Sequence, residues 1–216
     1  MAHAGQVDLS EPGAADCSQV NPAGVILAAG ASRRMGTPKA LLDFHGRTFL
    51  ERSIELLRPH CAPLIVVLGH DAERIAARCP ATALLVRNPE PDRGMLSSLQ
   101  CALRTLPGAA RAFVFTPVDL PAIGGETVAR VIDAFVCSGG HPPVRFPRYQ
   151  GRRGHPVCVS WELVGDLLRL DHHQAARDVL GRHTSEAAHV DVTDAGIVTD
   201  ADSPEDYRRL LALSHE

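Results

Sequence analysis

Several familiar signals are missing from this 216-residue sequence, and each gap closes off a class of function. The six cysteines, Cys17, Cys61, Cys79, Cys101, Cys137 and Cys158, include no C-x-x-C pair, which argues against a zinc site. Their wide spacing argues equally against a disulfide scaffold, so reduced thiols in a cytoplasm are expected. No apolar run approaches the ~20 residues that cross a bilayer. The first residues carry Asp8, Glu11 and Asp16 where a secretory signal would place cations before an apolar core. A basic excess is missing too: the net charge is −3, whereas a surface that tracks nucleic-acid phosphates needs positive charge. Neither nucleic acid nor a membrane is therefore expected as a partner. With 45% hydrophobic and 22% charged residues, what remains is an ordinary globular chain, long enough for one large α/β domain.

Residues 1–21 are small and polar, with Gly5, Pro12 and Gly13, and read as a disordered lead to a domain over 22–216. Short apolar runs at 25–29, 64–68, 83–86 and 112–115 have the length of buried strands. Helical spacing follows each: 48–58 capped by Thr48, 71–79 capped by Asp71, 95–106, and 127–136. Four strand–loop–helix repeats predict an α/β fold of three layers, α/β/α, around a mostly parallel central sheet. In such sheets ligands sit beyond the carboxyl ends of the strands. The second half changes texture. Strands are expected over 143–148 and 155–160 around a basic turn, Gln150-Gly-Arg-Arg-Gly154. Helices are expected over 161–170 and 174–182, then a strand over 188–192. Ser203-Pro-Glu-Asp206 fits a capping box opening a last helix.

The chemistry begins with Gly24-Val-Ile-Leu-Ala-Ala-Gly-Ala-Ser-Arg-Arg-Met-Gly-Thr-Pro-Lys39. A strand runs straight into a loop holding Gly30, Gly36, two arginines and a lysine. Glycine lets backbone amides approach an anion, and Arg34 and Lys39 add fixed positive charge, as a polyphosphate site requires. The pattern is neither G-x-x-x-x-G-K-[ST] nor G-x-G-x-x-G, and Pro38 keeps a helix from starting in the P-loop manner. Without the glycine fingerprint, an NAD-dependent dehydrogenase is set aside. Asp119, in Thr116-Pro-Val-Asp-Leu-Pro121, follows a strand and faces the crevice; such a carboxylate either caps a turn amide or holds Mg²⁺ against phosphates. Gly94-Met-Leu-Ser-Ser-Leu99 opens a helix with hydroxyls and free amides that suit a ribose or base edge. Asn88, Gly69 and His70 are weaker members of that wall. His70 reads as a loop histidine, because the sequence ties no carboxylate or nucleophile to it. No Ser-His-Asp or Cys-His constellation is present. Arg153 and His155, in the basic turn, suit either a phosphomonoester or a merely solvated hairpin.

Leu27 to Lys39 resembles, without a gap, the signature L-A-A-G-x-S-x-R-M-G-x-P-K of the MobA-like nucleotidyltransferase family, which includes the molybdenum cofactor cytidylyl- and guanylyltransferases. Weaker likenesses extend from about Gly24 to Tyr207. The resemblance implies a Rossmann-like fold of the nucleotide-diphospho-sugar transferase type. It implies nucleotide contacts from Leu27, Ala28, Ala29, Gly30, Ser32, Arg34, Met35, Gly36 and Lys39, and from Ser98 in a G-x-x-x-S-L segment. Asp119 stands where the family carries a metal aspartate, in P-x-D-x-P, and the implied cofactor is Mg²⁺. Asp200-Ala-Asp202-Ser-Pro resembles the element N-x-N-T-P or D-x-D-T-P, which makes Asp202 and Asp200 its partners. The helix dipole would also favour acids there without any metal. Gly151-Arg-Arg-Gly-His-Pro156 matches G-x-x-G-H-P of the cytidylyl branch, where it faces the acceptor, so Arg153 and His155 are implied acceptor contacts. Where the family often has G-D-x-G-A-R, this chain has Leu170-Asp-His-His-Gln-Ala-Ala-Arg177; Ala176-Arg177 alone survive, which leaves the acceptor's identity open.

The expected activity is Mg²⁺-dependent nucleotidyl transfer, with Arg34, Lys39 and Asp119 as the catalytic residues. The implied partners are an NTP, CTP by the L-A-A-G and G-H-P segments, a phosphorylated acceptor, molybdopterin, and a molybdoenzyme client. The alternatives are a sugar-phosphate nucleotidylyltransferase and, in another class, a nucleotide-binding maturation factor without turnover.

Overall fold

The structure, a computed structural model, describes residues 21–108 and 110–212, so the expected lead lies outside the described residues except for Asn21. Its first strand shows how the fold is held. Strand β1 (Ala23–Ala28) is buried along its whole length because its side chains serve two cores. Ile26 and Ala28 join one apolar cluster, Val25 and Leu27 the other, as the two-residue period of a strand dictates.

A small hairpin of β2 (Asp43–Phe44) and β3 (Arg47–Thr48) leads into α1 (Phe49–Leu57). Thr48 caps that helix as its sequence suggests: its hydroxyl accepts from Glu51 N at 3.1 Å, and the Glu51 carboxylate accepts from Thr48 N at 2.8 Å. There follow β4 (Leu64–Leu68), α2 (Ala72–Ala76), β5 (Ala83–Arg87), α3 (Met95–Leu103), β6 (Ala112–Pro117) and α4 (Gly125–Cys137). The second half supplies β7 (Val144–Tyr149), β8 (Arg152–Arg153), β9 (Val157–Ser160), α5 (Val164–Arg169), α6 (Ala176–Leu180), β10 (His189–Asp191) and α7 (Pro204–Leu211).

The main sheet has the order β10-β7-β9-β6-β1-β4-β5, with β8 paired to β7. β6, β1, β4 and β5 are parallel; β9 runs against both β6 and β7, and β10 is parallel to β7. Leu50 and Ile54 of α1 pack with Val128 and Val131 of α4 on one face. Leu99 and Leu103 of α3, Leu167 of α5 and Val179 of α6 cover the other. This is the expected three-layer, mostly parallel arrangement. The chain leaves β1 for β4 and β5 on one side and returns to β6 on the other. The ends of β1 and β6 therefore open a crevice where the strand order reverses.

Several boundaries differ from those read in the sequence. α2 stops at Ala76, and Asp71 does not cap it: its backbone is left-handed (φ 53°) and its carboxylate accepts from Arg74. The helix expected over 161–170 is broken, with a 3₁₀ turn, Trp161–Leu163, before α5. That over 174–182 shortens to α6 plus a 3₁₀ turn, Gly181–His183. β9 begins at Val157 rather than at residue 155, since Pro156 has no N–H to give a ladder. The basic turn is a two-residue hairpin in which Gln150 (φ 47°) and Gly151 (φ 78°) are both left-handed, the geometry that suits twisted strands. The capping box at Ser203 forms as expected, with Ser203 Oγ accepting from Asp206 N at 3.2 Å.

Candidate active site

Three sequence segments far apart in the chain meet at the carboxyl end of the sheet. The first is the loop after β1. Ser32, in a left-handed conformation (φ 49°), closes it twice: its carbonyl accepts from Met35 N at 2.9 Å, and its hydroxyl accepts from Lys39 N at 2.9 Å. Pro38 then leads into a single 3₁₀ turn, Lys39–Leu41, as the proline predicts, with no α-helix. The second segment follows β6, where Val118 N still donates to Leu27 O at 3.1 Å, so Asp119 emerges beside the end of β1. The third is the stretch before α7, tied on by Ala201 N donating to Asp119 O at 3.2 Å.

These ties bring four of the anticipated charged side chains together. The Lys39 ammonium lies 3.0 Å from Asp119 Oδ2 and 2.5 Å from Asp202 Oδ1. Arg34 Nη2 lies 2.9 Å from the other oxygen of Asp202. Burial pulls the Lys39 pKa down, but the charge of Asp119 and hydrogen bonds to both carboxylates outweigh it, so the net shift is upward. The hydrogen bond from Lys39, helped by Arg34, holds the Asp202 carboxyl below the usual carboxylate range. Asp200 sits in the opposite field: desolvation first, then Asp202 and Asp119, raise its pKa.

One cavity adjoins this cluster, and a second adjoins the first. The smaller, of ≈ 220 Å³, is lined by Leu27, Ala28, Ala29, Gly30 and Ser32 from the first loop, together with Lys39, Ser98 and Asp119. The larger, of ≈ 790 Å³, is lined by Phe115, Phe146, Arg153, His155, Arg177 and Leu180 among others. Gly94 and Met95, at the start of α3, belong to both walls. His155 Nδ1 lies 3.3 Å from Phe115 O, and burial holds this histidine's pKa below its ordinary value. Arg153 lies over the Phe146 ring, 5.4 Å from its centroid, and donates to Thr184 Oγ1.

Other expected residues stand apart. Arg34, Met35 and Gly36 do not line the smaller cavity; Gly36 turns the loop with φ 65°. Asn88 is 3% exposed and works from behind the wall. Its amide donates to Ser97 Oγ and Ser98 Oγ at 2.9 and 3.0 Å, and its Oδ1 accepts from Glu90 N. Gly69 likewise does not line the cavity; a methyl group there would come within 2.6 Å of Ala29 O and 2.7 Å of the Pro91 ring. Its glycine serves packing. His70 has the carboxylate partner that its sequence neighbours could not show: Asp92 Oδ1 lies 3.2 Å from His70 Nε2 and 3.0 Å from Arg33 Nη2. Arg177, which survives from the altered G-D-x-G-A-R segment, lines the larger cavity, as does Arg93, which carries no signal in the sequence beyond its charge.

A divalent cation fits this donor set in one way. Among the described residues no group of three His, Cys, Asp or Glu side chains is arranged to hold a metal by itself. Mg²⁺ does not need one: it takes one or two carboxylates and completes its shell with phosphate oxygens and water. Asp119 and Asp202, converging on one point, are such a pair.

Residues 24–188 match the family model described as the MobA-like NTP transferase domain. The chain is 33% identical to a molybdenum cofactor guanylyltransferase of Sinorhizobium fredii, over 76% of each chain. It is 28% identical to the molybdenum cofactor cytidylyltransferase of Escherichia coli, over 85% of this chain and 92% of that one. A protein of Paenarthrobacter nicotinovorans named nicotine blue oxidoreductase is 31% identical over 87% and 95%. A crystal structure of Rv0371C from Mycobacterium tuberculosis H37Rv in complex with manganese superposes with a TM-score of 0.72 at 28% identity, over 90% of this chain and all of that one.

Proposed function

This chain belongs to the MobA-like NTP transferase family, and from that premise we propose that it moves CMP from CTP onto the phosphate of molybdopterin, releasing pyrophosphate. The observation that carries the reading is the pair of adjoining cavities. One is walled by the glycine-containing loop and Lys39; the other, cationic and larger, is walled by Arg153, His155 and Arg177. Two substrates bound side by side across Gly94–Met95 would present their reacting groups to each other beside Asp119.

The loop from Gly30 to Lys39 binds the triphosphate, with Arg34 and Lys39 drawing charge toward the departing pyrophosphate. An acceptor phosphate oxygen attacks the α-phosphorus and the bond to the pyrophosphate oxygen breaks. The acceptor is already ionised, so no general base is needed, and catalysis is positioning plus electrostatics. His155, kept neutral by burial, donates or accepts a hydrogen bond at the acceptor without adding charge. Asp119 and Asp202 would hold Mg²⁺, which neutralises phosphate charge when bound. Manganese in the Mycobacterium structure supports a divalent ion in this fold.

The base is chosen from the segments Leu27-Ala-Ala-Gly30 and Gly154-His-Pro156, which resemble the cytidylyl branch, although relatives named for either base match this chain. The test is thermal stabilisation by CTP, GTP, UTP and ATP with and without Mg²⁺, followed by pyrophosphate release with molybdopterin. A shift selective for CTP and dependent on Mg²⁺, with release of pyrophosphate, is the expected result. Selectivity for GTP overturns the base. A nucleotide shift with no pyrophosphate release from any acceptor replaces transfer with a binding role, and oxidoreductase turnover in its place would put the chain with its Paenarthrobacter relative.

A further inference from the structure

We propose that Lys39 is a built-in stand-in for the divalent cation: its ammonium holds the ground between Asp119 and Asp202, so the metal is admitted with the nucleotide rather than before it. The inference rests on the reading of those two carboxylates as metal ligands. Its basis is the contact set. Lys39 Nζ reaches Asp119 Oδ2 at 3.0 Å and Asp202 Oδ1 at 2.5 Å, while Arg34 takes Asp202 Oδ2 at 2.9 Å. Both oxygens of Asp202 and one of Asp119 are thus already engaged, and these are the atoms a metal would need.

Charge makes the competition specific. Two carboxylates are matched by two cations in direct contact, and Asp200 adds a third carboxyl group to their field. A divalent ion arriving alone must approach an ammonium that already bridges the two carboxylates. A triphosphate changes the balance, because it offers Lys39 and Arg34 another anion and brings oxygens of its own for the metal. The device is local to one side chain. Lys39 N is pinned by Ser32 Oγ at 2.9 Å and its side chain is only 15% exposed, but the four-carbon stem can swing. Lys39 and Ser32 line the same small cavity, so the phosphates that pull the ammonium away would bind next to it.

Mn²⁺ binding without nucleotide tests this, read by electron paramagnetic resonance of the free ion. The variants are Lys39→Gln, which keeps hydrogen-bond donors but no charge, and Lys39→Met, which keeps neither. The expected result is weak binding by the wild type and affinity at least about tenfold higher in both variants, since one like charge is removed from the site. Adding Asp119→Asn and Asp202→Asn to Lys39→Gln should abolish the gain. No gain in either variant overturns the proposal, and so does a gain that survives loss of both carboxylates. A measurement on the wild type is independent of how the variants fold: saturating Mn²⁺ should speed acetylation of Lys39, followed by mass spectrometry. An unchanged rate with Mn²⁺ bound overturns it as well. The two readings fail separately. A wild type that releases no pyrophosphate sinks nucleotidyl transfer and leaves the Mn²⁺ gain intact; normal turnover with no gain does the reverse.

Discussion

The Asp119 carboxylate stands 3.0 Å from the Lys39 ammonium on the wall of the smaller cavity. Replacing it by alanine should lower turnover about 10²-fold or more, with a smaller loss of nucleotide affinity, because charge placed at the reacting phosphate matters most in the transition state. Single-turnover pyrophosphate release beside a nucleotide titration checks the split, and near wild-type turnover would remove Asp119 from the chemistry. Asp200 gives a prediction of opposite sign. Desolvation, then the charges of Asp202 and Asp119, lift its folded pKa above the ordinary 3.8, so its ionised form is disfavoured by folding. That penalty is absent well below 3.8 and complete once the pH has passed the raised value. Asp200→Asn should therefore raise Tm at neutral pH and leave it unchanged in strong acid; melting curves across that range decide. At this scale the sequence was most informative where a motif was contiguous. Arg34, Lys39 and Asp119 were legible from glycine, charge and strand ends. The roles of Asn88 and Gly69 were not, because a buried bracket and a wall residue share the same sequence neighbourhood.

Helix ends show what local pattern can and cannot reveal. Thr48 and Ser203 cap their own helices through contacts three residues away, so both were readable. α4 begins at glycines that have no side chain to cap with, and its acceptor comes from elsewhere. Asp194 accepts from Gly124 N at 2.9 Å and Thr127 Oγ1 at 2.7 Å, and also from Gly196 N. Asp194→Ala strips three donors of their partner and should cost about 2 kcal/mol, measurable by urea unfolding. α3 is organised in a similar way from behind. Asn88→Ala would remove the donor that bridges Ser97 and Ser98 and leave the Glu90 amide without its acceptor, at about 1–3 kcal/mol. Because Ser98 lines the smaller cavity, proposed for the nucleotide, and not the larger one, KM for the nucleotide should rise while KM for the acceptor stays put. Equal increases in both would mean that α3 had moved as a whole.

Over the whole molecule, the second half of the chain is folded back so that its loops complete the crevice opened by the first. The β7–β8 hairpin is seated against the stretch leading to Asp202, with His155 N donating to Ile197 O at 3.2 Å. Gly154 lies directly against that stretch, and a methyl group there would overlap the Ile197 carbonyl. Gly154→Ala should push the hairpin outward and carry Arg153 and His155 with it. Acceptor KM should rise with nucleotide Kd unchanged, and steady-state kinetics with a separate nucleotide titration reads both. If nucleotide binding weakened equally, the two cavities would not be independent.

The sequence by itself determined the layers of this protein, since the apolar runs at 25–29, 64–68 and 112–115 are too evenly hydrophobic for one-sided strands and require helices on both faces of a sheet; the run at 83–86, expected to be buried, forms the edge strand β5 with Leu84 and Leu85 exposed. It also determined the loop after β1, whose glycines, cations and proline are contiguous and act locally. Only the tertiary structure decided that β9 runs against its neighbours, and that a lysine and two aspartates eighty or more residues away form one cluster. It alone decided that α3 forms a wall common to two cavities. The physical reason is range: periodicity and capping act over a few residues, whereas the meeting of distant loops is set by strand order, which no local pattern encodes.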